Sequence, residues 1–315
     1  MQQTQVVIGV LRQHKNSQVL ISRRQSHQTY AGFWEFPGGK VEGNESLETA
    51  LTREFSEEVG INVENWQPLI QIPWQYKHDN VLLNVFIADE YSGEVIGNEG
   101  QETKWVDIAD LKSYPFPGAN KGIVSALMLP NSYAISGKFE GVEEGLKILK
   151  NTLETGIKLV QLRAKKMSES EFIAFAKPAI QLAHQYDAKI LLNAMPELLA
   201  KIPQADGLQL ASTAIQNISK RPIAEDKLLS ISTHNQAEIK QALALNADII
   251  LLSPVKKTSS HPELDGIGWQ NFQQLISKVP VPVYALGGMN VSDIKDAQKH
   301  GGQGIAAISS FWKNN

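Results

Sequence analysis

The chain has 315 residues, of which 42% are hydrophobic, so it can form about two domains with cores of their own. Its 30 basic and 33 acidic residues give a net charge of −3, so the chain has no surplus of positive charge for binding a nucleic-acid polymer or an anionic membrane. The absence of cysteine excludes disulfides, thiolate catalysis and cysteine-based zinc sites, and no apolar run reaches the roughly 20 residues that a membrane span needs.

The first 130 residues combine strand-like runs with one clear helix. Strands are predicted over residues 5–11, 18–23, 81–88 and 103–106, and the helix over 46–59. Ser46 is a candidate N-cap of this helix, and Gly60 is a candidate for the residue that ends it. A further helical pattern stops at Pro130. We therefore expect an α+β domain with a mixed sheet over residues 1–130.

The remainder, residues 131–315, contains short apolar runs separated by helical stretches. The eight candidate strands are residues 133–135, 158–162, 189–192, 207–210, 228–231, 248–252, 281–286 and 304–308. Apolar runs without polar alternation are typical of parallel strands that are covered on both faces. The pattern favours a (β/α)₈ TIM barrel, and a doubly wound sheet is the alternative.

The strongest chemical signal is the acidic helix. Its apolar stripe runs through Leu47, Ala50, Leu51 and Phe55, and Glu54 and Glu58 fall on the same stripe. Carboxylates that face inward need compensation, and hard oxygen ligands favour Mg²⁺ or Mn²⁺. Because Mg²⁺ is usually completed by substrate phosphates, the helix predicts a metal site for a polyphosphate substrate.

The spacing of this region resembles the Nudix box. The matching pattern is Gly39-x5-Glu45-x7-Arg53-Glu54-Phe-x-Glu57-Glu58-x-Gly60-Ile61. The resemblance implies a hydrolase in which a metal-polarised water cleaves a nucleoside diphosphate linkage. It implies that Glu54, Glu57 and Glu58 bind metal, that Gly39 adds a backbone ligand, that Arg53 orients these groups and that Glu45 supports them.

Residues 4–129 also resemble the MutT type of this family. The matching segments begin at Ile21, Trp34, Gly97 and Phe116. The resemblance implies hydrolysis of oxidised guanine nucleoside triphosphates to the monophosphate and pyrophosphate, a nucleotide-pool sanitation that serves DNA replication and repair. It implies that Asn120 reads the base edge, that Arg23 and Phe36 contact the nucleotide and that Glu99 is a further metal ligand or base. The alternatives are that Asn120 is a helix N-cap and that Arg23 is a surface cation, and residues 77–80 depart from the MutT pattern.

Residues 131–312 resemble thiamine-phosphate synthase. The matching segments are 160–165, 232–234, 252–255 and 286–289. The resemblance and the barrel geometry imply a phosphate site at the barrel mouth, formed by Arg163, Lys165, Gly287, Gly288 and Ser309. His234 is a candidate acid or base, and His261 with Pro262 adds polar groups.

Two segments depart from the synthase pattern. Asn193-Ala194-Met195 replaces an Asn-Asp-Asp run, and residues 209–213 lack the expected acidic residue. Since these carboxylates would bind the Mg²⁺ that assists diphosphate departure, we expect the barrel to have lost thiamine-phosphate synthesis.

These observations predict a cytoplasmic, soluble, Mg²⁺-dependent pyrophosphohydrolase acting on 8-oxo-dGTP, fused to a barrel that binds a phosphate-bearing small molecule. We expect no nucleic-acid polymer and no membrane as partner, and the sequence does not indicate an oligomeric state. The alternative is a thiamine-pathway protein in which the first domain hydrolyses a thiamine-related diphosphate and the barrel is a phosphate-ligand sensor or a tautomerase.

Overall fold

The computed structural model describes residues 3–13, 17–76, 79–258 and 265–313. Residues 77–78 and 261–262, which the sequence analysis singled out, lie outside the described residues. The chain divides into two compact units, and along the chain the boundary falls between Met128 and Leu129.

The first unit is an α+β fold, as predicted. Its strands are β1 (Thr4–Leu11), β2 (Gln18–Arg23), β3 (Trp34–Glu35), β4 (Gly38–Lys40), β5 (Gln67–Gln75), β6 (Asn80–Ala88) and β7 (Thr103–Asp107), and its α-helices are α1 (Leu47–Val59) and α2 (Asn120–Met128). One sheet has the order β4-β1-β6-β5 and a second has the order β3-β2-β7. Only β1 and β6 pair in parallel, so the larger sheet is mixed.

Strand β5 was not predicted from the sequence because Pro68 and Pro73 interrupt its apolar pattern. The structure places β5 at the edge of its sheet, where it pairs only with β6 among the described strands. An edge position tolerates proline because one side of the strand needs no ladder hydrogen bonds.

Helix α1 forms where the sequence predicted it. The Ser46 side chain accepts a hydrogen bond from Thr49 N–H, and Gly60 ends the helix in the left-handed conformation with φ of 70°. The inward face of the helix packs in one hydrophobic core through Ala50, Leu51 and Phe55. A second core, on the other side of the sheet, includes Phe36 and Phe116. Strand β4 lies beside β1, and this brings Gly39 next to α1.

The second unit is a closed barrel of eight parallel strands, which confirms the TIM barrel and excludes the doubly wound sheet. The strands are β8 (Ser132–Ile135), β9 (Leu159–Leu162), β10 (Lys189–Asn193), β11 (Gly207–Leu210), β12 (Leu228–Thr233), β13 (Ile249–Leu252), β14 (Val283–Leu286) and β15 (Gly304–Ala307). The α-helices of this unit are α3 (Gly141–Glu154), α4 (Glu169–Gln185), α5 (Pro196–Lys201), α6 (Gln236–Ala244), α7 (Gly268–Ile276) and α8 (Ile294–Lys299).

The barrel interior is filled by side chains, including the fully buried Tyr133 and Tyr284, whose rings meet edge to face at 5.6 Å. Because the strands are parallel, their carboxyl ends form one mouth, where barrel enzymes place their sites. Arg163, His234 and Gly287 each come directly after a strand end at this mouth. Among the helices that the structure describes, none is both long and apolar enough to cross a bilayer.

Candidate functional site

Arg53 organises the acidic face of α1. Its guanidinium donates to Glu45 at 2.8 Å, to Glu54 at 2.9 Å and to Glu57 at 3.1 Å, and it also reaches the Lys40 carbonyl at 3.1 Å. The Glu54 side chain is only 13% exposed, whereas that of Glu57 is 58% exposed. The inward position that helical periodicity predicted for Glu54 is therefore observed, and Glu57 lies at the rim.

Glu58 is a partly buried carboxylate that has no ion pair among the described residues. Its Oε2 accepts a hydrogen bond from Gly38 N–H at 3.1 Å. Burial above all raises the pKa of the Glu58 carboxyl to about 8, although the Gly38 hydrogen bond favours the charged form. The carboxylates of Glu54, Glu35 and Glu99 act in the same direction as burial, because like charges repel.

This arrangement fits a divalent cation. A Cβ atom on Gly39 would lie 2.1 Å from a Glu54 carboxylate oxygen, so only glycine lets the backbone approach that carboxylate so closely. Within the described ranges, no three acidic or histidine side chains converge at metal-binding distance, and Arg53 pairs with Glu54 and Glu57. The donor set consists of oxygen atoms with excess negative charge, which suits Mg²⁺ or Mn²⁺.

The predicted nucleotide contact Phe36 lies in a hydrophobic core, where it is 2% exposed and Phe116 is 9% exposed. Phe36 stacks on Phe116 with ring centroids 5.5 Å apart, and Trp74 packs so close to Gly118 that a Cβ there would lie 2.8 Å from the indole. Asn120 is 6% exposed, and its side-chain amide has no hydrogen-bond partner among the described residues. Asn120 is the first residue of α2, and its role as base reader or as helix cap stays a prediction.

The two arginines at the end of β2 have different environments. Arg23 has a side chain that is 51% exposed, pairs with Glu102 at 3.2 Å and corresponds to the surface-cation alternative. Arg24, which the sequence analysis did not select, is 23% exposed and forms an ion pair with Glu35. Arg24 therefore pairs with Glu35, one of the carboxylates whose charge acts on Glu58.

The barrel mouth contains a cavity of about 410 Å³ beside the end of β9. Arg163 and Lys165 both line it. Arg163 is half-buried, and burial lowers the pKa of its guanidinium. Neither cation has an ion pair among the described residues, so this cavity can receive an anion.

The glycine turn after β14 lies elsewhere at the mouth. Gly287 and Gly288 adopt left-handed φ values of 96° and 66°. A Cβ on Gly288 would lie 2.4 Å from the Lys257 carbonyl oxygen, so the turn needs glycine for its own packing. Ser309 is exposed in the turn after β15, and none of these three residues lines the cavity of Arg163. The structure brings Arg163 and Lys165 into one cavity, and the grouping of all five residues around one phosphate stays a prediction.

His234 is held by a carboxylate. Its Nδ1 lies 2.9 Å from Glu238 Oε2, and its backbone N–H donates to the same oxygen at 2.8 Å. Nearly half of the side chain is exposed, at 47%. A carboxylate-oriented imidazole at a strand end suits acid–base chemistry, and the same contacts also begin α6.

In the part of the mouth that the structure describes, the cavity of Arg163 does not fit the Mg²⁺ ion that the synthase resemblance implies. Ala194 and Met195 line the cavity where the synthase pattern has carboxylates. Of the two glutamates in the lining, Glu169 pairs with Lys201, which leaves Glu197 alone. Asp206 is no substitute, because it precedes β11 at the opposite end of the barrel and accepts Ile190 N–H at 2.8 Å.

Fold and site together define a chain of two modules, a Nudix domain and a synthase-like barrel. Residues 132–311 match the family model described as thiamine monophosphate synthase, and residues 7–126 match that of the NUDIX domain. The chain thus belongs to the thiamine monophosphate synthase family and carries a Nudix domain ahead of the barrel. Both resemblances inferred from sequence motifs are confirmed.

Known proteins resemble each half over nearly their whole length. A putative thiamine-phosphate synthase 2 of Aquifex aeolicus (strain VF5) is 36% identical over 58% of this chain and 98% of its own. An 8-oxo-dGTP diphosphatase of Escherichia coli (strain K12) is 32% identical over 40% of this chain and 98% of its own. A solved MutT structure, from work on Aliivibrio salmonicida and Vibrio cholerae, is 36% identical with a TM-score of 0.37 and covers 40% of this chain and 98% of that chain. The first domain is therefore homologous to 8-oxo-dGTP diphosphatases, and the predicted enzyme class, hydrolases of phosphoric anhydrides, is confirmed as that of its homologues.

The raised pKa of the Glu58 carboxyl predicts that the stability of the folded protein depends on pH. Because its pKa in the folded protein, about 8, exceeds the ordinary 4.5, the folded state binds more protons than the unfolded state between these values. Stability of the metal-free protein then falls as the pH rises through this range. Glu58→Gln removes the free-energy cost of ionising Glu58 in the folded protein. In EDTA, the Tm of this variant should therefore equal that of the unmodified protein near pH 4.5 and exceed it by about 4 °C or more near pH 9.

The measurement is thermal unfolding in EDTA between pH 4.5 and pH 9, following the transition that shifts when Mg²⁺ is added. Glu57→Gln is the matched control, since the Glu57 side chain is 58% exposed. A Tm difference for Glu58→Gln that stays constant with pH would contradict the raised pKa.

Proposed function

We propose that the first domain is an Mg²⁺-dependent nucleoside triphosphate pyrophosphohydrolase that converts 8-oxo-dGTP to the monophosphate and pyrophosphate. The observation that carries the proposal is the partly buried Glu58 carboxylate, which has no cationic partner among the described residues and lies near further carboxylates. Homology to 8-oxo-dGTP diphosphatases supports the choice of substrate.

In this proposal Glu54, Glu58 and the Gly39 carbonyl hold the ion, with Glu57 at the rim and Glu99 close by. Bound Mg²⁺ supplies charge neutralisation for the phosphates and lowers the pKa of the attacking water. Arg53 keeps the carboxylates in place through hydrogen bonds of 2.8 to 3.1 Å. The water oxygen would bond to one of the two phosphorus atoms that share the α–β bridging oxygen, and the bond from that phosphorus to the bridging oxygen would break, which releases the monophosphate and pyrophosphate. The proton of the water would pass to a carboxylate of the site, for which Glu99 is the candidate.

The base of the nucleotide is proposed to bind against Phe36 and Asn120. The Asn120 amide offers both donors and an acceptor, is almost fully buried and has no side-chain partner among the described residues. A base that fails to pair with it leaves a buried amide unsatisfied, which costs about 1–3 kcal/mol. Arg24 is proposed as the cation nearest the phosphates, in place of the exposed Arg23.

The barrel is proposed to bind a phosphate-bearing small molecule through Arg163 and Lys165, without synthase activity. The unpaired, half-buried guanidinium supports anion binding, and Ala194 and Met195 argue against the Mg²⁺ that diphosphate departure requires.

The match of residues 132–311 to thiamine monophosphate synthase favours one rival, in which the first domain hydrolyses a thiamine-related diphosphate. Comparing 8-oxo-dGTP, dGTP and a pyrimidine diphosphate as substrates of the full chain decides between this rival and the proposed hydrolysis of 8-oxo-dGTP.

Loss of a metal-binding carboxylate should abolish most hydrolysis. Glu54→Gln and Glu58→Gln are each expected to lower the rate for 8-oxo-dGTP by at least about 10²-fold with the fold intact, because each removes one charge from the cation site. Steady-state kinetics at saturating Mg²⁺ measures this, with circular dichroism to check folding. Glu45→Gln should lose less, since Glu45 acts through Arg53. Near-normal turnover of either Glu54→Gln or Glu58→Gln contradicts the metal site.

Removal of the Asn120 amide should affect base choice. Asn120→Ala is expected to reduce the preference for 8-oxo-dGTP over dGTP by about tenfold or more while the dependence of the rate on Mg²⁺ concentration stays the same. The ratio of kcat/KM values for the two nucleotides is the measurement. An unchanged ratio accompanied by a lower Tm assigns Asn120 a structural role only.

The barrel should not join a pyrimidine diphosphate to a thiazole phosphate. The test uses the full chain carrying Glu54→Gln, so that the first domain does not consume the diphosphate, with both substrates and Mg²⁺. We expect neither thiamine phosphate nor pyrophosphate above the level of a sample without protein. Synthase turnover shows that Glu197 or another group replaces the missing carboxylates.

A further inference from the structure

Glu99 lies on an exposed loop of the first domain, close to the carboxyl end of α1. Residues 89–102 join β6 to β7, and the Glu99 side chain is exposed within this segment. Its charge nevertheless acts on Glu58, whose pKa it helps to raise. Loops move more than helices and strands unless hydrogen bonds fix their backbone. The position of the Glu99 carboxylate therefore depends on the groups that hold this loop.

The Gln101 side chain joins the loop to α1. Its Nε2 donates to the Glu58 carbonyl oxygen at 2.8 Å, and its Oε1 accepts a hydrogen bond from the Glu99 N–H at 3.0 Å. The Glu58 carbonyl belongs to the last turn of α1, where carbonyl groups lack partners within the helix. One amide group thus connects the backbone of the helix that carries Glu58 to the backbone of Glu99.

The two hydrogen bonds require an amide at residue 101. The Glu58 carbonyl needs a donor, the Glu99 N–H needs an acceptor, and a glutamine side chain offers both on one carbon atom. The turn itself is tightly closed, because a Cβ atom on Gly97 would lie 2.0 Å from the Gln101 carbonyl oxygen. The Gly100 N–H also donates to the Gly97 carbonyl at 2.9 Å. Residues 97–101 therefore form a compact turn that Gln101 fastens to the helix.

A second glutamine holds the other side of the Glu99 backbone. Gln25 Nε2 donates to the Glu99 carbonyl oxygen. Gln25 follows Arg24 beyond the end of β2, and its own N–H donates to Gln28 Oε1 at 2.8 Å. The N–H and the carbonyl of Glu99 are therefore each bonded to a glutamine side chain.

From these contacts we propose that Gln101 is a positioning residue of the hydrolase site, which fixes Glu99 relative to the Glu58 end of α1 so that the Glu99 carboxylate acts on the bound cation or the attacking water. Gln25 supports the same backbone from the end of β2. The inference rests on the proposed hydrolase function and adds how the loop carboxylate is held in that site. The structural alternative is that Gln101 only caps the carboxyl end of α1.

The experiment is a double-mutant cycle in the full-length protein, with Gln101→Ala, Glu99→Gln and the double variant. Two quantities are measured: the Kd for Mn²⁺ without nucleotide, by electron paramagnetic resonance, and kcat for 8-oxo-dGTP at saturating Mg²⁺. The Mn²⁺ site that counts is the one that Glu58→Gln removes. Asn98→Ala is the matched control, because the Asn98 side chain holds the same loop through the Ser56 carbonyl, at 3.2 Å, instead of through the Glu99 backbone.

We expect Glu99→Gln to lower kcat and to weaken Mn²⁺ binding, each by about tenfold or more, and Gln101→Ala to change both quantities in the same direction by about tenfold. In the Glu99→Gln background, Gln101→Ala should change neither quantity by more than about twofold, because the carboxylate that it positions is already absent. Asn98→Ala should also stay within about twofold of the unmodified protein in both quantities.

Equal losses from Gln101→Ala in the two backgrounds overturn the inference and leave Gln101 as a cap of α1. Unchanged kcat and Mn²⁺ affinity in Gln101→Ala also overturn it, as do equal losses in Asn98→Ala and Gln101→Ala. If Glu99→Gln changes neither quantity, the inference fails together with the role of Glu99, while the cation site at Glu58 stands.

Failure of the hydrolase proposal has a different signature. That proposal fails if the unmodified protein does not hydrolyse 8-oxo-dGTP with Mg²⁺, or if Glu58→Gln keeps the Mn²⁺ affinity of the unmodified protein. In the first case the Mn²⁺ measurements still decide whether Gln101 acts through Glu99. In the second case the inference fails as well, because no cation site remains for Glu99 to serve.

Discussion

Burying part of a charged group without an opposite charge beside it costs free energy, and each unit contains an example among its described residues. Glu58 in the first unit has carboxylates as its neighbours, and Arg163 in the second has no ion pair among the described residues. A folded protein can retain such a cost where the binding of a ligand compensates for it. The ligands that we propose follow from the sign of the charge, a cation for the first unit and an anion for the second.

In the first site, the carboxylates along α1 have different hydrogen-bond partners. Arg53 forms ion pairs with Glu45, Glu54 and Glu57, so its single positive charge offsets part of the negative charge on and beside the helix. Glu58 lies one turn beyond Glu54 and receives only the Gly38 N–H. A cation that binds there competes with Arg53 for Glu54, which makes Arg53 a positioning residue rather than a permanent partner of that carboxylate.

The barrel shows how a fold keeps its geometry while the chemistry of its mouth changes. The eight strands close in sequence order around a buried tyrosine pair, and this closure does not depend on the loops at the strand ends. Replacing acidic residues with Ala194 and Met195 leaves that framework intact, because both lie beyond the end of β10. The outcome is a cavity whose charge and polarity differ from those of a metal-assisted diphosphate site.

The sequence by itself determined the two-domain order, the eight barrel strands and the inward position of Glu54. These features arise from local periodicity, helix-end residues and a fixed motif spacing, all of which act over short stretches of chain. Only the tertiary structure showed that Arg24 is less exposed than Arg23 and pairs with Glu35, and that Arg163 and Lys165 line one cavity. Strand β5 also required the fold, since its two prolines are acceptable only at a sheet edge. In each case the deciding contact joins segments far apart in sequence, so no local pattern contains it.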